Sequence, residues 1–384
     1  MREVWVSGAA TNRYGKMTET GREAGARVAL RALESAGLTP KEIGITFVAN
    51  AFGIAERQAH VGPLINTALG IPEVPSATVE SACSSSSAAL HEAFVHVAGG
   101  FEDAALVVGF ERLSHLDTLA ATSYFALGAD FPFEAHNGAT FPGLYAVIAS
   151  AHARRYGTGE DELGAVAVKN HANGALNPHA HFQTPISLAK YRASPVVASP
   201  LRLYDCCPFS DGAAALVVTA RESFPSPPSE PLVVRASVRT GSIGDLHDRP
   251  SLTSLPATRR AVEMAARQSG LDPARLDLYE VHDCFTIAEL VALEDLGLFP
   301  PGAAGRATVE GVTARDGARP VNPSGGLKAK GHPVSATGAG QVVEIFEQFN
   351  HRAGGRQVPR TETALAHNVG ATGSSCSVHI FGRR

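Results

Sequence analysis

The chain has 384 residues, 44% of them hydrophobic and 18% charged, with a formal net charge of -4. That length suits two domains or one large duplicated one, with enough apolar material for a large core. No basic field gathers nucleic acid or anionic lipid, no run reaches the ~18 apolar residues of a membrane helix, and the opening MREVWVSGAATNRYG carries no long apolar leader.

VWVSGAA near the start reads as a buried strand, and Thr20 to Gly37 as a helix, with Val28, Ala29, Ala32, Leu33 and Ala36 recurring at helical spacing. ITFVANAF and VPSATVES are strands. A helix follows from Ser84 to Val97, then the apolar strand DAALVVGFERL. Strands alternating with helices predict parallel pairing in an α/β layered fold. From about 114 to 198 the periodicity fades into Pro, Gly, Asn, His and Tyr, apart from a helix in PGLYAVIASAHARRYG, which marks an insertion of helices and loops. The strand SDGAAALVVTA resumes the pattern. Residues 222–231 hold four prolines and read as a linker or surface crossover. The pattern then restarts: strand PLVVRASVRT, helix 257–270, strand LDLYEVHD, helix 285–296, a glycine-rich turn into a helix at 331–349, and a closing strand SSCSVHIF. The shared rhythm implies a duplicated unit.

The five cysteines, an odd number without a secretory leader, predict free thiols and a cytoplasmic protein. Cys83 stands in ESACSSSSAAL, where a strand gives way to a helix. The helix N-terminus there favours a thiolate nucleophile; a packed core cysteine fits the position equally. His332, in NPSGGLKAKGHPVSATG, is held by Gly-His-Pro at a turn before a helix, as a base or as a structural turn residue. That loop matches neither the dinucleotide nor the P-loop spacing. His282, Asp283 and Cys284 occupy a strand end, where sites form in open α/β sheets. Cys284 suits an acid/base role, His282 a donor to an oxyanion, and Asp283 the cap of the following helix. HNVGATG at 367–373 offers backbone N–H groups or an ordinary turn. His171, His179 and His181 lack a ligand-spaced partner, and Cys206 and Cys207 are adjacent, so no metal centre is expected.

These segments, in this order over nearly the whole chain, resemble the thiolase family, and within it the sterol-carrier-protein-type thiolases and their archaeal and bacterial acetyl-CoA acetyltransferase-like relatives. The resemblance implies a five-layer α/β fold of two βαβαββ halves, 1–225 and 231–384, with an inserted loop domain at 116–200 that grips coenzyme A. It implies that Cys83 takes the acyl group, His332 activates it, and Cys284 makes the second proton transfer that other thiolases give to a final-loop cysteine, where Asn368 stands here. One oxyanion hole is then expected from His282 beside His332, the other from the N–H groups of Cys83 and Gly370. Asn322, Gly325, Gly326, Ser335, Asn368 and Ala371 are expected to shape the site, with Ser84 to Ser87, Ser335 and Ala371 adding bulk beside it and putting acetyl-CoA in doubt as substrate. A coenzyme A thioester is the implied substrate, with no permanently bound cofactor. A homodimer and a separate zinc-ribbon and OB-fold partner are the implied assemblies. A retro-aldolase-like lyase, transfer to a non-CoA acceptor, and a non-catalytic subunit are the competing readings.

Overall fold

The computed structural model describes residues 1–224 and 227–384. The first half runs β1 (Val4–Thr11), α1 (Gly21–Ala36), β2 (Ile45–Ala49), α2 (Val61–Ala68), β3 (Ser76–Val79), α3 (Ser85–Ala98) and β4 (Ala104–Glu111). The insertion follows with α4 (Thr118–Ala126), a π turn, α5 (Phe141–Tyr156), α6 (Glu160–Gly174), α7 (Leu188–Arg192) and a small hairpin of β5 (Val196–Ala198) and β6 (Leu201–Arg202). β7 (Gly212–Ala220) closes the half. The second half comprises β8 (Leu232–Gly241), α8 (Pro256–Ser269), β9 (Leu278–Glu280), α9 (Thr286–Asp295), α10 (Ala304–Val309), α11 (Gly326–Ala329), α12 (Thr337–Phe349), β10 (Thr363–Gly370) and β11 (Ser375–Gly382). The first half's boundary at 225 and part of the proline-rich linker lie outside the described residues.

Local chemistry explains several boundaries. Thr20 and Glu23 form a reciprocal capping box at the start of α1, and Gly37 ends it in the left-handed region, as the sequence predicts. The strand expected over ITFVANAF stops at Ala49, because the N–H groups of Ala51 and Phe52 turn to the buried Glu111 carboxylate. LDLYEVHD is a strand only over Leu278–Glu280, since the Val281 N–H leaves the ladder for the Asn322 amide oxygen at 2.8 Å.

One nine-stranded sheet runs β3-β2-β4-β7-β1-β8-β11-β10-β9. It is mixed rather than parallel throughout: β2–β3, β2–β4 and β9–β10 are parallel, and the strands at the centre are antiparallel. The duplication is legible in the order. β1-β7-β4-β2 of the first half answers β8-β11-β10-β9 of the second, and a parallel bridge from Tyr279 to Val321 stands where the first half has β3. A short antiparallel contact, Trp5 with Val233 and Val6 with Leu232, joins the halves.

Three cores separate the layers. Ala24, Val28, Ala32 and Leu33 of α1 pack on one face of the first half-sheet. α8, α9 and the insertion cover the outer face of the second. Between the halves lie α3 and α12, which share a core with strands of both, and where Phe346 and Phe349 are fully buried at roughly 1.5–3 kcal/mol each. The order is helices, half-sheet, paired helices, half-sheet, helices: the expected five layers.

The paired helices meet closely. The Ala339 N–H donates to Ser86 Oγ at 2.9 Å, and a Cβ on Gly338 would stand 2.2 Å from Ser87 Oγ. Gly338→Ala is therefore expected to destabilise the protein by about 1–3 kcal/mol in urea unfolding, from overpacking alone; a loss below about 0.5 kcal/mol would contradict this packing.

Candidate active site

Cys83 follows β3 by a strained turn. Ala82 holds φ +46°, in the left-handed region, and Cys83 lies in a single 3-10 turn, Ala82–Ser84, that runs into α3. The serines around it maintain this turn: Ser81 N–H donates to Ser85 Oγ (2.9 Å), Ser85 Oγ–H to the Ala82 carbonyl (2.6 Å) and Ser84 Oγ–H to the Ser81 carbonyl (2.8 Å). The Cys83 sulfur meets its own N–H and that of Ala371. Gly370, one residue earlier, packs beneath the turn, where a Cβ would come within 2.5 Å of the Ser81 carbonyl. Burial pushes the thiol up to about 12. The helix N-terminus was expected to lower it, but loss of water on burial outweighs the dipole.

His332 is buried beside Cys83, and burial holds its imidazole neutral, down to about 3. Its tautomer follows from a chain of bonds. Thr337 Oγ–H donates to the Pro333 carbonyl (3.0 Å), so its oxygen accepts from His332 Nδ1–H at 2.7 Å. The Nε2 lone pair is left for the site. His282 has the opposite tautomer. The Asn368 side-chain N–H donates to His282 Nδ1 at 2.9 Å, so Nε2 carries the proton, and that atom has no partner among the described residues. A donor and an acceptor nitrogen are thus left on two perpendicular rings with centroids 5.3 Å apart. One ligand atom each of Cys83, His282 and His332 lie within 4.8 Å of one another. The trio has the donor types of a metal site. With a neutral thiol and opposite tautomers on its two imidazoles, the same trio is also an acid–base arrangement.

Asp283 caps a different helix from the one expected. It accepts from the N–H groups of Leu327 (2.6 Å) and Lys328 (3.3 Å) at the start of α11, whereas α9 has no side-chain cap. Gly326 is required there, because its φ is +59° and a Cβ would stand 2.2 Å from the Asp283 carboxylate. Asn322 acts from behind: it accepts from Val281 N–H and donates to Glu289 at 2.9 Å, which locks the strand end carrying His282.

A cavity of about 480 Å³ opens on Cys83, His332, Cys284 and Ala371. Phe125 and Phe141 from the insertion, with Phe209 and Phe285, supply apolar walls, and Cys206 and Cys207 join them. The expectation that Ser84 to Ser87 and Ser335 crowd this space is corrected: of the residues named as crowding, only Ala371 lines it. Ser335 turns away to donate to Glu111 at 2.8 Å, and Ser86 is bonded to α12. Asn322, Gly325, Gly326 and Asn368 also lie behind the wall rather than in it. Gly325 lets the loop approach α6, where a Cβ would meet Gly174 at 2.6 Å.

Sequence reasoning passed over Thr337 and Glu111, and it set Cys206 and Cys207 aside. Thr337, five residues past His332, carried the one usable signal, being a hydroxyl in the turn after Gly-His-Pro. The Cys206–Cys207 pair reaches the site through a pairing with Phe285 and Cys284 that no local pattern announces. His171, His179 and His181 form no metal cluster among the described residues: His171 Nδ1 meets the Thr184 carbonyl and His181 Nδ1 meets Ser210.

Comparison with known proteins agrees with this geometry. Residues 12–222 match the thiolase N-terminal domain and residues 241–383 the thiolase C-terminal domain-like family. The chain belongs to the thiolase family, and it is a thiolase-type acyltransferase. It is 39% identical to an acetyl-CoA acetyltransferase of Methanothermobacter thermautotrophicus, with 100% of each chain covered. It is 32% identical to a benzoylsuccinyl-CoA thiolase subunit of Thauera aromatica, over 98% of this chain and 96% of that one. Among solved structures, the Ltp2-ChsH2(DUF35) aldolase shares the fold with a TM-score of 0.85 at 22% identity, covering 99% of this chain and 98% of that one. The acetyl-CoA acetyltransferase of Syntrophomonas wolfei does so with a TM-score of 0.77 at 20% identity, covering 100% and 99%.

Two outcomes follow from the geometry. With Cys83 at about 12, its alkylation by iodoacetamide in the free enzyme should rise about tenfold per pH unit from pH 7 to 9; a plateau in that range would show a thiolate already formed. Thr337→Val removes the acceptor that selects the His332 tautomer and should slow acylation of Cys83 at least about tenfold, measured by intact mass against time.

Proposed function

We propose that the enzyme makes or breaks a carbon–carbon bond on acyl-coenzyme A thioesters through an acyl group held on Cys83. The observation that carries this reading is the convergence of one thiol, one acceptor imidazole and one donor imidazole within 4.8 Å, with a second thiol, Cys284, on the same cavity.

The roles follow from the protons each group holds. Attack by Cys83 on the thioester carbonyl passes its proton to His332 Nε2. The departing coenzyme A sulfur takes the Cys284 proton, leaving an acyl-enzyme with a Cys284 thiolate and an imidazolium. Cys284 then removes a proton from the α-carbon of a second thioester. The carbanion attacks the acyl carbon, Cys83 leaves as thiolate, and the imidazolium returns its proton. Atoms and charge balance, and the enzyme is restored. Thiolysis is the reverse.

Both carbonyls need a donor as they become oxyanions. The unpartnered Nε2–H of His282 suits one, next to His332. The other would be met by backbone N–H groups at Cys83 and in the 370–371 turn; Gly370 is the residue implied by family resemblance, and Ala371 is the one whose N–H touches the sulfur. No permanently bound cofactor enters this scheme; coenzyme A comes and goes as part of the substrate.

The sheet edge supports a homodimer. β3 is the outermost strand of the first half, unpaired on its far side within the chain, and Ala77 and Thr78 are exposed. A separate zinc-ribbon and OB-fold partner is proposed from family resemblance, and the Ltp2-ChsH2(DUF35) aldolase, which shares this fold, pairs two components. Among the described residues no helix is long and apolar enough to cross a membrane, and the five cysteines are free, which suits the reducing cytoplasm. The aldolase likeness keeps a lyase reading in view, but such a cleavage has no use for an acylated Cys83.

Cys83→Ala should abolish the acyl-enzyme mass on incubation with a panel of acyl-coenzyme A thioesters. Cys284→Ala should still acylate yet lose bond formation and cleavage by at least about 10²-fold. Turnover by Cys83→Ala would sink the covalent route, and full turnover by Cys284→Ala would remove the second thiol from it.

A further inference from the structure

Tyr145, on α5, has no part in the scheme above. Its side chain is 2% exposed, and its ring stacks on Phe285 at 4.5 Å with 23° between planes. Its hydroxyl donates to the Ala371 carbonyl at 3.2 Å. That hydroxyl also lies beside the Cys284 sulfur. One phenol therefore lies beside both halves of the chemistry: it bonds the carbonyl of Ala371, the residue whose N–H meets Cys83, and it neighbours the second thiol.

The turn at Ala371 needs external support. Ala371 sits at φ +54°, a left-handed conformation that costs about 1 kcal/mol or more in a residue with a Cβ. Tyr145 holds its carbonyl from one side. From the other, Arg249 donates to the Thr372 carbonyl at 2.5 Å and to Thr372 Oγ1 at 2.8 Å. The turn therefore keeps both Arg249 bonds and its own Gly373 N–H to Gly370 carbonyl bond when the phenol lets go.

A phenol has one proton to donate and lone pairs to accept with. In the resting enzyme that proton is directed at Ala371, and the oxygen can accept from the Cys284 S–H. Once Cys284 has lost its proton, its sulfur becomes a charged acceptor, stronger than a carbonyl. The side-chain hydroxyls that line the cavity are those of Thr118, Thr122 and Thr140 of the insertion, and Tyr145 approaches Cys284 from behind the wall.

We propose that Tyr145 is the positioning residue of the second thiol: its O–H turns from the Ala371 carbonyl to the Cys284 sulfur when the thiolate forms, and turns back when the thiol is restored. No bond to carbon changes in this step; the proton Cys284 gains or loses comes from the α-carbon or goes to the coenzyme A sulfur. This assignment rests on the reading of Cys284 as the base.

The test uses the full-length enzyme and iodoacetamide, with Cys284 and Cys207 labelling followed on separate peptides. Cys207 lines the same cavity and reports access. Tyr145→Phe should lower Cys284 labelling at pH 8 about tenfold relative to Cys207, the weight of one hydrogen bond to a charged group, and move its pH profile upward. Phe285→Leu, which removes the stacked ring and keeps the hydroxyl, should leave that ratio within threefold of the native enzyme. In D₂O, exchange of the α-protons of acetyl-coenzyme A should fall in Tyr145→Phe while acylation of Cys83 persists. A Cys284 to Cys207 ratio within threefold in Tyr145→Phe, or an equal drop in Phe285→Leu, overturns the assignment. If no thioester acylates native Cys83, the proposed reaction fails, and the labelling ratio still decides the role of Tyr145.

Discussion

The site depends on the contact between the N-terminal turns of α3 and α12. Cys83 precedes one helix and His332 the other, so their meeting fixes the distance between thiol and imidazole. The contact is close because its residues are small: Ser86, Ser87, Gly338 and Ala339 let backbone approach backbone. β4 supplies the floor, since a Cβ on Gly109 would come within 2.5 Å of the Ser335 carbonyl. The serine run after Cys83 is therefore a packing device that leaves the cavity free.

Around that contact the protein keeps ionisable groups neutral. Burial raises the thiols of Cys83 and Cys284 and lowers both imidazoles, which favours the neutral form of all four. Each proton is assigned by a neighbour instead. Thr337 selects one tautomer for His332, and Asn368 selects the other for His282. Two histidines in nearly the same environment acquire opposite roles through one hydroxyl and one amide.

Much of the fold was legible along the chain because it rests on local signals. The capped helix from Thr20 to Gly37, the apolar strands and the repeat of strand and helix after the linker are patterns of period and punctuation. The mixed sheet was less legible: alternation of strand and helix suggests parallel pairing, yet β7 and β11 return antiparallel beside β4 and β10. Strand direction depends on where each connection crosses, and the long insertion before β7 hides that. In the site, Cys83, His332, His282 and Cys284 stood out because titratable groups at strand ends and glycine-dense turns are unusual. Asp283 was assigned to the nearer helix, whereas it reaches α11, 44 residues away.

By itself the sequence determined the kinds of group available: two thiols and two imidazoles at strand ends and in a glycine-dense turn, small residues around them, and a duplicated frame to hold them. Those follow from residue type and spacing, which are properties of the chain. Tertiary structure alone decided which nitrogen of each histidine its neighbour engages, that Ser335 points to Glu111 rather than into the cavity, that the Cys206–Cys207 pair lines it and that Tyr145 bonds Ala371 from behind it. These are outcomes of pairing between segments tens to hundreds of residues apart. A hydrogen bond or a buried contact of that kind is set by where the layers close on one another, and local propensity carries no record of it.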